Sequence, residues 1–114
     1  MEIDKEALQK SFKLYDKDVI VEIIDLFFEE YPERIKSLEE AISQKDHELL
    51  KTTAHSIKGV VSHFHAEGPR SLAKDLEEKG TNQDMTGVES IFGQLKEKAD
   101  KMLEELEEIK KEYQ

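Results

Sequence analysis

Apolar residues in this sequence return every third or fourth position through four long stretches, and nowhere do they alternate one by one. That spacing lays side chains along one face of an α-helix, whereas a half-buried strand needs a period of two. Five glycines and two prolines in 114 residues leave few interruptions, so short turns must join long helices. The expected fold is all-α: an antiparallel four-helix bundle with a short N-terminal capping helix.

The elements can be placed along the chain. A short helix over about 4–14 opens with Asp4, whose carboxylate can accept from free backbone N–H groups, and offers Leu8, Phe12 and Tyr15 as contacts. It reads as a cap more than a core member. A second helix over about 17–44 carries Ile20, Ile24, Phe27, Tyr31, Ile35, Leu38 and Ile42 in one unbroken stripe. Pro32 removes the backbone bond to Phe28, but the stripe keeps its phase across it, which predicts a kink and not a break. Asp46 is placed to cap the third helix, whose apolar set is Leu50, Thr53, Ala54, Ile57, Val60, Val61 and Phe64. Gly68-Pro69 marks the next boundary, with Pro69 suited to a first helical position and Gly80 a left-handed terminator near Lys79. Thr86 with Glu89 fits a capping box for a fifth helix carrying Val88, Phe92, Leu95, Ala99, Met102, Leu106 and Ile109.

Composition then removes whole classes of function. There is no cysteine, so disulfides, thiolate metal sites and cysteine nucleophiles are excluded. A formal charge of −10 opposes binding to a phosphate backbone, so no nucleic-acid partner is expected. The apolar runs are short and no basic-then-apolar leader is visible, which predicts a cytoplasmic protein with no membrane partner.

Chemistry concentrates on the third helix. At about 100° per residue its apolar set clusters within roughly 60° of Ile57. His55 falls about 160° from Ile57, Lys51 about 120° and Lys58 about 100°, while Gly59 sits almost opposite the core. An imidazole is thus turned outward with two ammonium groups nearby. A glycine in mid-helix costs about 1 kcal/mol relative to alanine. On an exposed face, its functional meaning is clearance for something bulky approaching the ring.

The segment Ala54-His55-Ser56-Ile57-Lys58-Gly59, followed by Phe64-His65-Ala66 and later by Leu76-Glu77, resembles the histidine-containing phosphotransfer (HPt) domain of bacterial-type phosphorelays. The family pattern reads Ala-His-x-Leu-Lys-Gly, then four residues, then Phe-Gly-Ala. The likeness runs from about Val19 to Glu77 and makes residues 1–114 one HPt-like helical bundle domain. It implies that His55 is the phosphoacceptor, that Lys58 helps with phosphate charge and that Gly59 leaves the site open. Lys51 is a further candidate for moderating the added negative charge.

The resemblance also implies partners: response-regulator receiver domains, with a hybrid sensor kinase as a possible source of one. The chain needs no cofactor of its own, and Mg²⁺ is expected on the partner receiver. Without a nucleotide-binding glycine loop, a phosphocarrier lacking autokinase activity is expected, not an enzyme. Two positions depart from the pattern. His65 stands where a small residue is usual, and Pro69 where the family tends to have leucine, which predicts a shifted turn between the third and fourth helices.

Other readings compete. His47, His63 and His65 invite a metal site, but no histidine has a glutamate three residues before it and no two lie three or four apart. They read as surface or boundary residues. Ser62, two turns beyond His55, borders the site or is plain polar surface. The fifth helix has heptad-like spacing, yet three heptads inside a four-helix chain are satisfied internally, so a monomer is expected. Phe12, Tyr15 and Tyr31 are candidates for a protein interface. The alternative function is a non-catalytic helical interaction module whose partner reads the surface without phosphate chemistry.

Overall fold

A computed structural model describes all 114 residues. Five helices follow one another: α1 Lys5–Phe12, α2 Lys17–Gln44, α3 His47–His63, α4 Glu67–Thr81 and α5 Val88–Lys111. α2 packs on α3, α3 on α4, α4 on α5, and α5 back on α2, which closes a ring of four around one core. The 28 residues of α2, rising about 1.5 Å each, account for the 42 Å long axis of the molecule.

The stripes read from the sequence are the buried surfaces. Ile20, Ile24, Phe27, Tyr31, Ile35 and Leu38 of α2 all face the core, and Ala41 closes the row while Ile42 is only half-buried. α2 runs through Pro32 without a break. Lys45 takes a left-handed conformation (φ 55°), and its N–H bonds back to Ala41 and Ile42, ending α2 within one residue. Asp46 then caps α3, its Oδ1 accepting from the Leu49 N–H at 3.0 Å. Asp4 caps α1 the same way, from the Ala7 N–H at 3.1 Å. Reversal within two residues forces α2 and α3 to lie antiparallel.

Three expectations about helix ends are corrected. Gly80 does not terminate α4; it lies inside the helix, where a Cβ would come within 2.7 Å of the Lys51 backbone nitrogen and 2.9 Å of the His47 carbonyl oxygen. Its role is close approach of α4 to α3, and the left-handed residue past the helix is Gln83 (φ 53°). The Thr86–Glu89 capping box does not form, because Asp84 Oδ1 takes the Thr86 N–H at 2.9 Å and Gly87, at φ 73°, starts α5. That bond, with the Thr86 hydroxyl and Lys79, pulls the Asp84 carboxyl down to about 2. Pro69 is the third residue of α4, not the first, still within the turn whose N–H groups have no helical acceptor.

α1 is more than a lid. It spans fewer residues than the periodicity suggested, but Leu8 and Phe12 are buried in the common core together with Ile3. Phe12 and Tyr31 are therefore not interface residues. Phe12 packs edge-on against Tyr113, and the Tyr31 hydroxyl donates to Asp100 Oδ1 at 3.1 Å, tying α2 to α5. Burial, reinforced by the Asp100 charge, pushes the Tyr31 phenol well above its ordinary range. Tyr15 alone of the three is exposed.

Candidate functional site

α3 carries its apolar residues Leu50, Ala54, Ile57 and Val61 into the core, so the opposite face is left to solvent. His55 is on that face, with 68% of its side chain exposed. Gly80 on α4 brings the neighbouring helix close, lying against the α3 backbone at Lys51, one turn before His55. At that separation a side chain from α4 reaches the histidine directly.

The side chain is Glu77. Its Oε2 lies 2.6 Å from His55 Nδ1, and its Oε1 accepts from Lys58 Nζ at 2.5 Å. One carboxylate therefore joins the imidazole and the ammonium group, which stand three residues apart on α3. Only 18% of the Glu77 side chain and 28% of the Lys58 side chain are exposed, so this pair is far better shielded than a surface salt bridge. The hydrogen bond from Lys58, aided by that from His55, holds the Glu77 carboxyl below the usual carboxylate range. Ionised, it can only accept.

The proton positions follow. Nδ1 must carry the hydrogen that it donates to Glu77, so the neutral ring has its lone pair on Nε2, the nitrogen on the other side of the ring. Nε2 has no hydrogen-bond partner within the chain and carries the available lone pair of the neutral ring. As a bond forms to it, positive charge builds on the ring, and a carboxylate on Nδ1–H stabilises that charge, as the aspartate does in a Ser-His-Asp triad. Low pH removes the arrangement: Glu77 binds its proton less readily folded than unfolded, so the stability its pairs confer is full above the ordinary carboxylate range and is lost as pH falls below that range, through the lowered pKa of the folded state.

The remaining residues divide plainly. Gly59 is exposed, and a Cβ built there would meet nothing within 4 Å, so no packing within the chain requires glycine. Lys51 is exposed one turn before His55 and forms no ion pair with Glu77. Ser62 donates to its own helix at the Lys58 carbonyl, 2.6 Å away. No cluster of three metal-ligating side chains exists, and His65 instead bonds through Nε2 to the Ser11 hydroxyl at 2.8 Å. His65 has φ 55°, a left-handed conformation that costs a side chain energy, and its carbonyl accepts the Asp4 N–H at 2.9 Å. Those bonds to α1 and to the N-terminal segment hold a histidine where glycine is the easier residue.

Gly59 yields a direct expectation. Gly59→Ala, having room and a better helix propensity, should raise unfolding free energy by about 0.5–1 kcal/mol. Chemical denaturation checks this, and a loss of stability would show that the glycine is structural. Gly59→Glu should keep the helix content seen by circular dichroism while blocking approach to His55.

A helical bundle that displays an exposed imidazole beside a lysine-held carboxylate has the layout of a histidine phosphotransfer domain. The Hpt domain family model matches residues 22–111, and the chain belongs to that family. The fold is shared with a solved structure, histidine-containing phosphotransfer protein B from Pseudomonas aeruginosa PAO1, at TM-score 0.91 and 23% identity, covering 99% of this chain and 97% of that one. No curated protein matches the chain significantly. No helix is long and apolar enough to cross a membrane.

Proposed function

We propose that this chain is a phosphorelay carrier that takes a phosphoryl group onto His55 Nε2 from the aspartyl phosphate of one receiver domain and passes it to another. The observation that carries the reading is the Nδ1–H···Glu77 bond, which leaves Nε2 free and outward-facing. The Nε2 lone pair attacks phosphorus, a P–N bond forms, and the P–O bond to the aspartate breaks to release a carboxylate. The Nδ1 proton stays on the ring. Transfer onward reverses these events with a second aspartate as the nucleophile.

Lys58, already beside the ring, offers its charge to the phosphoryl oxygens, and Lys51 adds to the local potential. Gly59 leaves the approach clear. The carboxylates of the receiver would hold Mg²⁺, which would supply charge compensation for the phosphoryl group. The carrier has no glycine-rich nucleotide loop and does not phosphorylate itself from ATP. It acts as a monomer, as one domain over residues 1–114, and a hybrid sensor kinase is one source of the donor receiver.

Incubation with a receiver radiolabelled on its aspartate should label the wild-type chain and leave His55→Gln unlabelled. Equal labelling of both would rule the reading out in favour of chemistry at another residue. Absence of any transfer, with retained binding, would favour a purely non-catalytic interaction module.

A further inference from the structure

The charge of this chain is unevenly distributed. Between Asp46 and Thr81 there are five basic and six acidic side chains, so α3 and α4 with their caps carry −1 while the rest of the chain carries −9. Within α4 the charges are sorted again. Asp75, Glu78 and Lys79 line a cavity with Asp84 and Ile91, on the side turned to α5. Arg70 and Lys74 instead lie within about 60° of Glu77 around the helix, at about two turns' and one turn's distance respectively, on the side of His55. Arg70 is paired through Nε and Nη2 with Glu67 at 2.7 and 2.6 Å, and Lys74 is exposed without an ion-pair partner. The acidic residues that share this face by helical position are Glu67, Glu77 and, two turns before His55, Glu48.

We infer that Lys74 and Arg70 form, with Lys58 and Lys51, a basic strip on the α3–α4 face that draws in the acidic rim of a receiver's phosphorylation pocket and sets its orientation over His55. This rests on the reading of the chain as a receiver partner. A pocket that holds Mg²⁺ and a phosphorylatable aspartate is ringed by carboxylates. A carrier of evenly spread −10 charge would repel such a surface, and phosphorylated His55 would repel it further. The strip reverses the sign locally. It extends along α4 away from Glu77, so it acts on encounter and register, not on the reacting atoms. Lys74 makes no ion pair within the chain and acts only at longer range on Glu67, which makes it the cleanest point to test.

The test compares Lys74→Glu with Lys79→Glu, which makes the same charge change on the face turned to α5. Second-order rates of transfer from a radiolabelled receiver are measured at low salt and at about 1 M salt, where the screening length falls to about 3 Å. Lys74→Glu should slow transfer about three- to ten-fold at low salt and approach wild type at high salt, while Lys79→Glu stays within about two-fold. Labelling of His55 by phosphoramidate, a small donor that docks no receiver, should be equal in all three proteins. Wild-type transfer by Lys74→Glu, or equal slowing by both variants, would overturn the inference. Failure of phosphoramidate to label His55 in the wild type would overturn the underlying reading and the inference with it.

Discussion

Gly80→Ala should destabilise the protein by about 1–3 kcal/mol, although the same change raises helix propensity by about 1 kcal/mol. The atoms that a Cβ would strike are backbone: the Lys51 nitrogen at 2.7 Å and Cα at 2.9 Å, and the His47 carbonyl oxygen at 2.9 Å. No rotamer change relieves a clash with a helix backbone, so α3 and α4 must separate. The cost exceeds the propensity gain because close-packed interiors accommodate extra volume only by moving whole elements. Urea denaturation at neutral pH checks it, with a lower midpoint and an unchanged slope expected. The effect reaches the site as well. Gly80 lies three residues beyond Glu77, and Lys51 one turn before His55, so the same separation lengthens the 2.6 Å contact that orients the imidazole. Phosphotransfer should therefore fall in Gly80→Ala even where the protein is still folded. A variant as stable as wild type would mean that the helices can part freely, and the glycine between them would need another explanation.

Glu77→Ala should slow transfer to His55 by about 10–100-fold while leaving the histidine exposed and in place. Two functions are lost together. The proton on Nδ1 no longer has an acceptor, so the ring divides between tautomers and the lone pair is on Nε2 only part of the time. The carboxylate that stabilises the charged ring during P–N bond formation is gone, and Lys58 loses its partner. Glu77→Gln separates these contributions: its amide oxygen still accepts from Nδ1–H, so the tautomer is kept while the charge is not. It should transfer faster than Glu77→Ala and more slowly than wild type. Stopped reactions with a radiolabelled receiver give the rates, and thermal unfolding shows whether stability has changed. Identical rates for wild type and Glu77→Ala would remove the carboxylate from the mechanism.

Glu77 is where reading along the chain reached its limit. The helices were visible because burial repeats every third or fourth residue, and His55, Lys58 and Gly59 were visible because they share one helix, where offsets translate into angles. Glu77 belongs to the next helix. Its register against His55 depends on how deeply α4 settles onto α3, and the close backbone approach at Gly80 sets that depth. The signal was present in Leu76-Glu77, part of the family-like pattern, but nothing in its chemistry distinguished it from the other acidic residues. Gly80 misled for the same reason. A glycine near a helix end has two physical uses, left-handed termination and close approach, and only the neighbouring backbone tells them apart. At the start of α5 the sequence pattern Thr86-Gly87-Val88-Glu89 suited a capping box, but Asp84 competes for the Thr86 N–H. Local bonds of this kind between aspartate and backbone offer the chain an alternative to helical pairing.

The most direct measurement is the position of the phosphoryl group itself. After exposure of the isotopically labelled protein to a receiver phosphorylated on aspartate, nuclear magnetic resonance distinguishes phosphorus bonded to either ring nitrogen. The account predicts one phosphohistidine, at His55, with phosphorus on Nε2 and hydrogen still on Nδ1. Phosphorus on Nδ1, or on His47, His63 or His65, would contradict it.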